Sequence, residues 1–121
     1  MPKPAVLIVD DIEDNRLSLA DWLEDEFECL LAMNADEAER ILATRRPQVI
    51  LLDLSLPGRS GWELASQLKA DPRTREIPII AVSAYAGAEH RERALEAGCD
   101  TFLSKPFRLN RLIELLEPYR H

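Results

Sequence analysis

Cysteine is scarce in this chain. Cys29 and Cys99 stand at no spacing that suits a metal site or a redox pair, so nothing in them suggests a disulfide framework. Two reduced thiols go with a cytoplasmic compartment. Long apolar runs are missing too. The longest, such as Ala5–Val9, are five residues or fewer, against the roughly 20 a membrane-spanning helix needs. The opening Met-Pro-Lys-Pro carries no apolar stretch of the signal-peptide kind. Positive charge is in deficit, with 15 Lys and Arg against 22 Asp and Glu, a net charge of −7. A surface of that sign does not attract a phosphate backbone, which argues against direct DNA binding. Internal repeats, low-complexity segments and linkers are absent as well. What remains is a chain of 121 residues, 46% of them apolar, enough for one domain over 1–121 with its own core.

The apolar residues gather in five short runs: Ala5–Asp10, Glu28–Met33, Gln48–Asp53, Pro78–Ser83 and Thr101–Ser104. Three of them, AVLIVD, QVILLD and PIIAVS, are nearly continuous rather than alternating. That is the pattern of strands covered by helices on both faces of a parallel sheet. The segments between carry helical spacing. Leu17, Ala20, Leu23 and Phe27 form one stripe, and Ala35, Ala38, Ile41 and Leu42 a second. Leu64, Ala65 and Leu68 form another, and Leu109, Leu112, Ile113 and Leu116 the last. Asn34 with Glu37, and Ser60 with Glu63, have the spacing of helix N-caps with a glutamate in the first turn. Gly98 stands where a helix-ending glycine belongs. Strand followed by helix, five times over, predicts an α/β domain with a parallel sheet and right-handed crossovers. The last helix is predicted to end near Pro118, with no output domain after it. Trp22 reads as packing at the edge of the first helix, His90 and His121 as exposed residues, and the run Glu24–Glu28 as a solvated helix end.

The chemistry lies at the strand ends. The first strand runs into Asp10-Asp11, the third ends in Asp53, the fourth in Ser83, and the fifth leads to Lys105. In open α/β sheets, ligands bind outside the carboxyl ends of the strands. A lone Asp after a strand is ordinarily a turn residue or a cap. Three carboxylates, a hydroxyl and a lysine on one edge are harder to set aside. Converging carboxylates either raise their pKa values or hold a cation. Carboxylate oxygens suit Mg²⁺, which takes one or two carboxylates, waters and a phosphate oxygen. Lys105 would face the phosphoryl oxygens and Ser83 would donate to them, and a carboxylate beside the metal can itself be the nucleophile.

These segments resemble the receiver domains of two-component response regulators. The likeness runs over essentially the whole chain, through VLIVDD (6–11), LLDLSLPGRSGWEL (51–64), IIAVSA (79–84) and GCDTFLSKPF (98–107). It implies a flavodoxin-like (βα)5 three-layer sandwich with strand order 2-1-3-4-5. It implies Asp53 as phosphoacceptor, Asp11 as direct Mg²⁺ ligand, Asp10 acting through water, and the Ser55 main-chain carbonyl as a further ligand. Ser83 and Phe102 fall at the switch positions, and Lys105 at the family's lysine. Ser55 and Tyr85 fall at the positions that tune phosphate lifetime, and a cis peptide is implied between Lys105 and Pro106. Phe102 replaces the commoner tyrosine, so no phenolic hydroxyl can bond on either side of the switch. The implied partners are a histidine kinase or histidine phosphotransfer protein and a downstream protein effector, with no direct DNA binding and no membrane. Catalysis would be limited to self-phosphorylation and autodephosphorylation.

Other readings fit less well. A receiver excised from a hybrid histidine kinase has the same residues. A phosphatase with an aspartyl nucleophile would want a second Asp two residues after Asp53, where Ser55 stands. A receiver that works unphosphorylated would not need Asp10, Asp11, Asp53 and Lys105 intact. Flavin binding needs a phosphate-cradling loop after the first strand, where this chain has DDIEDNR.

Overall fold

Each nearly continuous apolar run forms a strand with both faces covered. In a computed structural model of the chain, which describes residues 3–84 and 87–120, strands and helices alternate. They are β1 (Ala5–Val9), α1 (Glu13–Leu23), β2 (Glu28–Ala32), α2 (Ala35–Leu42), β3 (Val49–Asp53) and α3 (Gly61–Ala70). There follow β4 (Ile79–Ser83), α4 (Ala88–Glu96), β5 (Thr101–Ser104), α5 (Leu109–Leu116) and a 3-10 turn, Glu117–Tyr119. All four strand pairings are parallel and the order is β2-β1-β3-β4-β5. The sequence-based strands match these to within a residue at either end.

Alternation along the strands splits the core in two. Leu7, Val9, Ile50, Leu52, Ile79 and Ala81 pack against α2, α3 and the Ala94 side of α4. Val6, Ile8, Val49, Leu51, Ile80 and Val82 pack against Leu23 of α1 and Leu112 and Leu116 of α5. The caps form as their spacing predicts. The Glu37 amide donates to Asn34 Oδ1 at 2.8 Å and the Glu63 amide to Ser60 Oγ at 3.2 Å. Gly98 ends α4 in the left-handed region, φ 105°.

Some helical expectations need correction. Phe27 is buried, but α1 stops at Leu23, so Phe27 sits in the turn before β2 rather than on the helical stripe. Leu17 is exposed, and so in part are Leu109 and Ile113. The buried side of α5 is carried by Leu112 and Leu116, and that of α1 by Leu23. The run Glu24–Glu28 is a turn that leads into β2, with Glu28 as the strand's first residue. His90 is half-buried and stacks on Trp62, with ring centroids 6.2 Å apart. Among the described residues, no helix is long and apolar enough to cross a membrane.

Candidate functional site

A parallel sheet brings the carboxyl ends of all its strands to one edge. The chain reverses its direction of travel across the sheet at the β1–β3 pair, and a crevice opens there. Asp10 follows β1 directly, Asp53 closes β3, Ser83 closes β4 and Lys105 follows β5. Asp10, Asp11 and Asp53 offer carboxylate oxygens within 4.8 Å of one another. Lys105 Nζ lies 3.1 Å from Asp53 Oδ2 and 3.6 Å from Asp10 Oδ2. Residues separated by half the chain are thus brought together by sheet order alone.

The three carboxylates differ in their surroundings. Asp10 is only 4% exposed. It accepts from the Ile12 amide at 2.9 Å and from Asn15 Nδ2 at 3.2 Å. Its own carbonyl accepts from Arg16 Nη1 at 2.7 Å, which fastens the first turn of α1 to the strand end. Asp53 is 5% exposed and accepts from the Ser55 amide at 2.8 Å. Burial pushes the Asp53 carboxyl above its ordinary range, aided by the charge of Asp10 and opposed by the Ser55 amide and Lys105. Burial works to lower the Lys105 pKa, but the attraction of Asp53 and Asp10 outweighs it and holds the ammonium above its usual value. Asp11 faces solvent.

Backbone links hold the edge in shape. The Lys105 amide donates to the Ser83 carbonyl at 2.7 Å, and the Leu54 amide to the Val82 carbonyl at 3.0 Å. Ser83 itself is buried. The Lys105–Pro106 peptide is cis. Phe102 is buried within the core on the α3 and α4 side. Ser55 is exposed at the turn beyond Asp53. Tyr85 lies outside the described residues, as does His121. Beside the edge is a cleft of about 550 Å³, lined by Asp10, Asp53 and Lys105 together with the apolar Leu19 and Trp22.

Sequence reasoning did not find Asn15, Arg16 or Gly61. The first two sit one turn into α1 with nothing local to mark them. Gly61 left a signal, a glycine at the first position of a helix, and its reason is contact. A Cβ there would stand 2.6 Å from the Asp53 carbonyl oxygen.

Three clustered carboxylates against one ammonium leave an excess of negative charge on hard oxygen donors, a set that fits a divalent cation of the magnesium type. Together with the strand order, this edge defines a flavodoxin-like domain of the receiver class.

The chain belongs to the response regulator receiver domain family, whose model matches residues 6–117. It is a phosphoacceptor module of two-component signalling. It is 39% identical over 120 residues to the polar-differentiation response regulator DivK of Brucella anthropi, covering 98% of this chain and 97% of that one. It is 42% identical over 113 residues to the phosphate regulon transcriptional regulatory protein PhoB of Pseudomonas aeruginosa, covering 93% of this chain but 49% of that protein. The chain thus spans about half of one such relative and nearly all of the other. Among solved structures, it resembles the receiver domain of a sensor histidine kinase from Pseudomonas aeruginosa PAO1, which has a magnesium ion in its active-site cleft. That match has a TM-score of 0.87 and 28% identity, and covers 98% of each chain. The signal receiver domain of a histidine kinase from Syntrophus aciditrophicus matches with a TM-score of 0.88 and 30% identity, over 97% of this chain and 89% of that one.

Proposed function

We propose that residues 1–121 act as a single receiver domain in the cytoplasm, accepting a phosphoryl group on Asp53 from a histidine kinase or histidine phosphotransfer protein. One observation carries the reading: the Lys105 ammonium bridges Asp53 and Asp10 at the switch point, with Asp11 beside them. An Asp53 carboxylate oxygen attacks phosphorus, the bond from phosphorus to the donor's imidazole nitrogen breaks, and the imidazole leaves with that electron pair. Asp10, Asp11, Asp53 and the Ser55 carbonyl would hold Mg²⁺, which neutralises charge on the phosphoryl oxygens. Lys105 moves from its carboxylate partners to a phosphoryl oxygen, and the Ser83 hydroxyl donates to another. Ser55 and Tyr85 occupy the sequence positions that set how fast water hydrolyses the acyl phosphate. Phosphorylation selects an arrangement of Ser83 and Phe102 that remodels the face of α4, β5 and α5 for a protein effector. Chemistry is confined to the domain's own phosphorylation and dephosphorylation. A receiver cut from a hybrid kinase would work in the same way at this site.

Incubation with acetyl phosphate, with and without Mg²⁺, followed by intact mass, tests the assignment. One hydroxylamine-labile phosphoryl group should appear only with Mg²⁺. Equal labelling of Asp53→Asn at no new site would refute it.

A further inference from the structure

The segment that joins β3 to α3 is loosely built. Gly58 stands in the left-handed region, φ 69°, with open space where a side chain would be, and Ser55 and Pro57 beside it are exposed. Among the described residues, residues 56–59 make no main-chain hydrogen bond. The main-chain fixed points lie toward the two ends. The Ser55 amide donates to Asp53 Oδ1 at 2.8 Å, and the Gly61 amide to the Leu54 carbonyl at 3.3 Å. Between them, Leu56 is buried in the core. The Ser55 carbonyl belongs to the peptide plane shared with Leu56, so its direction depends on how the segment beyond is held.

Arg59 supplies what the main chain lacks. Its guanidinium reaches Asp36 Oδ1 at 3.0 Å and pairs with Glu39, both on α2, and Nη1 donates to Gln67 Oε1 on α3. Asp36 and Glu39 are three residues apart, so they share one side of α2. The Arg59 side chain is 22% exposed, although those of Asp36 and Glu39 are 79% and 48% exposed. A single pair on such a surface contributes little. Three partners on two helices hold one rigid fork of donors, which loses little freedom in being held. Arg45 and Arg73, by contrast, each pair with one acid. Attraction to the ion does not explain Arg59 either. On charge alone, a cation on the segment that leaves Asp53 works against a divalent cation.

We propose that Arg59 is a positioning residue for the metal site. By clamping the β3–α3 segment to α2 and to Gln67, it fixes the direction of the Ser55 carbonyl before the ion arrives, and so sets the affinity of the domain for Mg²⁺. This role rests on the assignment of the Ser55 carbonyl as a ligand, given above; the clamp itself does not.

The test is titration of the unphosphorylated full chain with Mg²⁺ by calorimetry, with amide hydrogen exchange of the metal-free protein, read by NMR, as a second measurement. Arg59→Gln should weaken Mg²⁺ binding about three- to tenfold, less than the roughly 10–100-fold lost when a group bonded to the ligand itself is removed. The sign discriminates, because loss of a positive charge by itself would tighten the ion. Arg59→Lys, with one ammonium in place of the fork, should recover part of the loss. Gln67→Ala, which changes no charge, should weaken binding by a smaller factor. Arg45→Gln removes the same charge and one ion pair elsewhere, and should leave Mg²⁺ affinity unchanged. Without metal, the Ser55 and Gly61 amides should exchange severalfold faster in Arg59→Gln than in the wild type. Mg²⁺ affinity of Arg59→Gln at or above that of the wild type overturns the proposal. So does an equal loss in Arg45→Gln, or unchanged exchange at Ser55 and Gly61. Should Arg59→Gln fail to fold, Gln67→Ala decides, and full affinity there overturns the proposal. A wild-type chain with no measurable Mg²⁺ affinity, with the exchange rates as expected, refutes the metal reading rather than the clamp.

Discussion

Gly61→Ala tests whether the start of α3 and the end of β3 form one rigid unit. A Cβ on Gly61 would stand 2.6 Å from the Asp53 carbonyl oxygen and 2.6 Å from Leu54 Cα. Both are main-chain atoms at the buried end of a central strand, so neither can swing aside. Carbon contacts settle at about 3.5–4.0 Å, so helix and strand must part by about 1 Å. Overpacking of this kind costs about 1–3 kcal/mol. Alanine returns up to about 1 kcal/mol in helix propensity. The net loss therefore lies between about 0 and 3 kcal/mol, centred near about 1.5 kcal/mol. For a chain of 121 residues, each kcal/mol lowers Tm by about 4 °C, which gives a fall centred on about 6 °C. The Gly61 amide donates to the Leu54 carbonyl at 3.3 Å, so displacing the helix also drags the segment that carries Asp53. Phosphorylation by acetyl phosphate should slow accordingly. Gly58→Ala is the control. Gly58 has φ +69° and nothing within 4 Å of a built Cβ, so alanine there costs only the left-handed penalty of about 1–2 kcal/mol. Thermal melts by circular dichroism and labelling rates by intact mass separate the two. Both variants should melt early, but only Gly61→Ala should label slowly. A Gly61→Ala protein that melts at or above the wild-type temperature would refute the steric argument.

Asn34→Ala removes the acceptor of the Glu37 amide and should cost about 1 kcal/mol, read as a Tm lower by about 4 °C; an unchanged melt would show that the cap contributes nothing. Asp11→Asn should weaken Mg²⁺ binding in calorimetry without moving Tm, because Asp11 is exposed. Asp10→Asn should also lower Tm, because its carboxylate serves the Ile12 amide and Asn15. Equal melts for these two variants would contradict that division. Burial pushes the Cys99 thiol from its ordinary 9.0 up to about 12, so it stays protonated at pH 8 and should resist a thiol reagent until the protein unfolds. Because the folded value is the higher one, the stabilisation from this group is full below pH 9 and is lost as pH rises toward 12. Rapid native labelling of Cys99 would overturn this.

Much of the architecture was legible in local pattern. Val49–Asp53 and Ile79–Ser83 are buried along their whole length, and an unbroken apolar run is what such strands require. The caps at Asn34 and Ser60 were legible for the same reason, since donor and acceptor lie within one turn. Asp10, Asp11, Asp53, Ser83 and Lys105 could be placed on one edge because each adjoins a strand's carboxyl end, and parallel strands share that edge. Which of these residues meet was another matter. The bridge from Lys105 to Asp53 and Asp10 depends on strand order, and no short-range signal specifies that order without the family likeness. The contrast between a buried, doubly bonded Asp10 and an exposed Asp11 is likewise invisible in two adjacent identical residues. Leu17, Leu109 and Ile113 carry perfect helical spacing yet remain exposed. Periodicity says which side of a helix faces inward, but only the packed neighbours decide how far that side is covered. Gly61 shows the same division: the chain supplies a residue without a side chain, and the approach of α3 to the Asp53 carbonyl gives the reason for it.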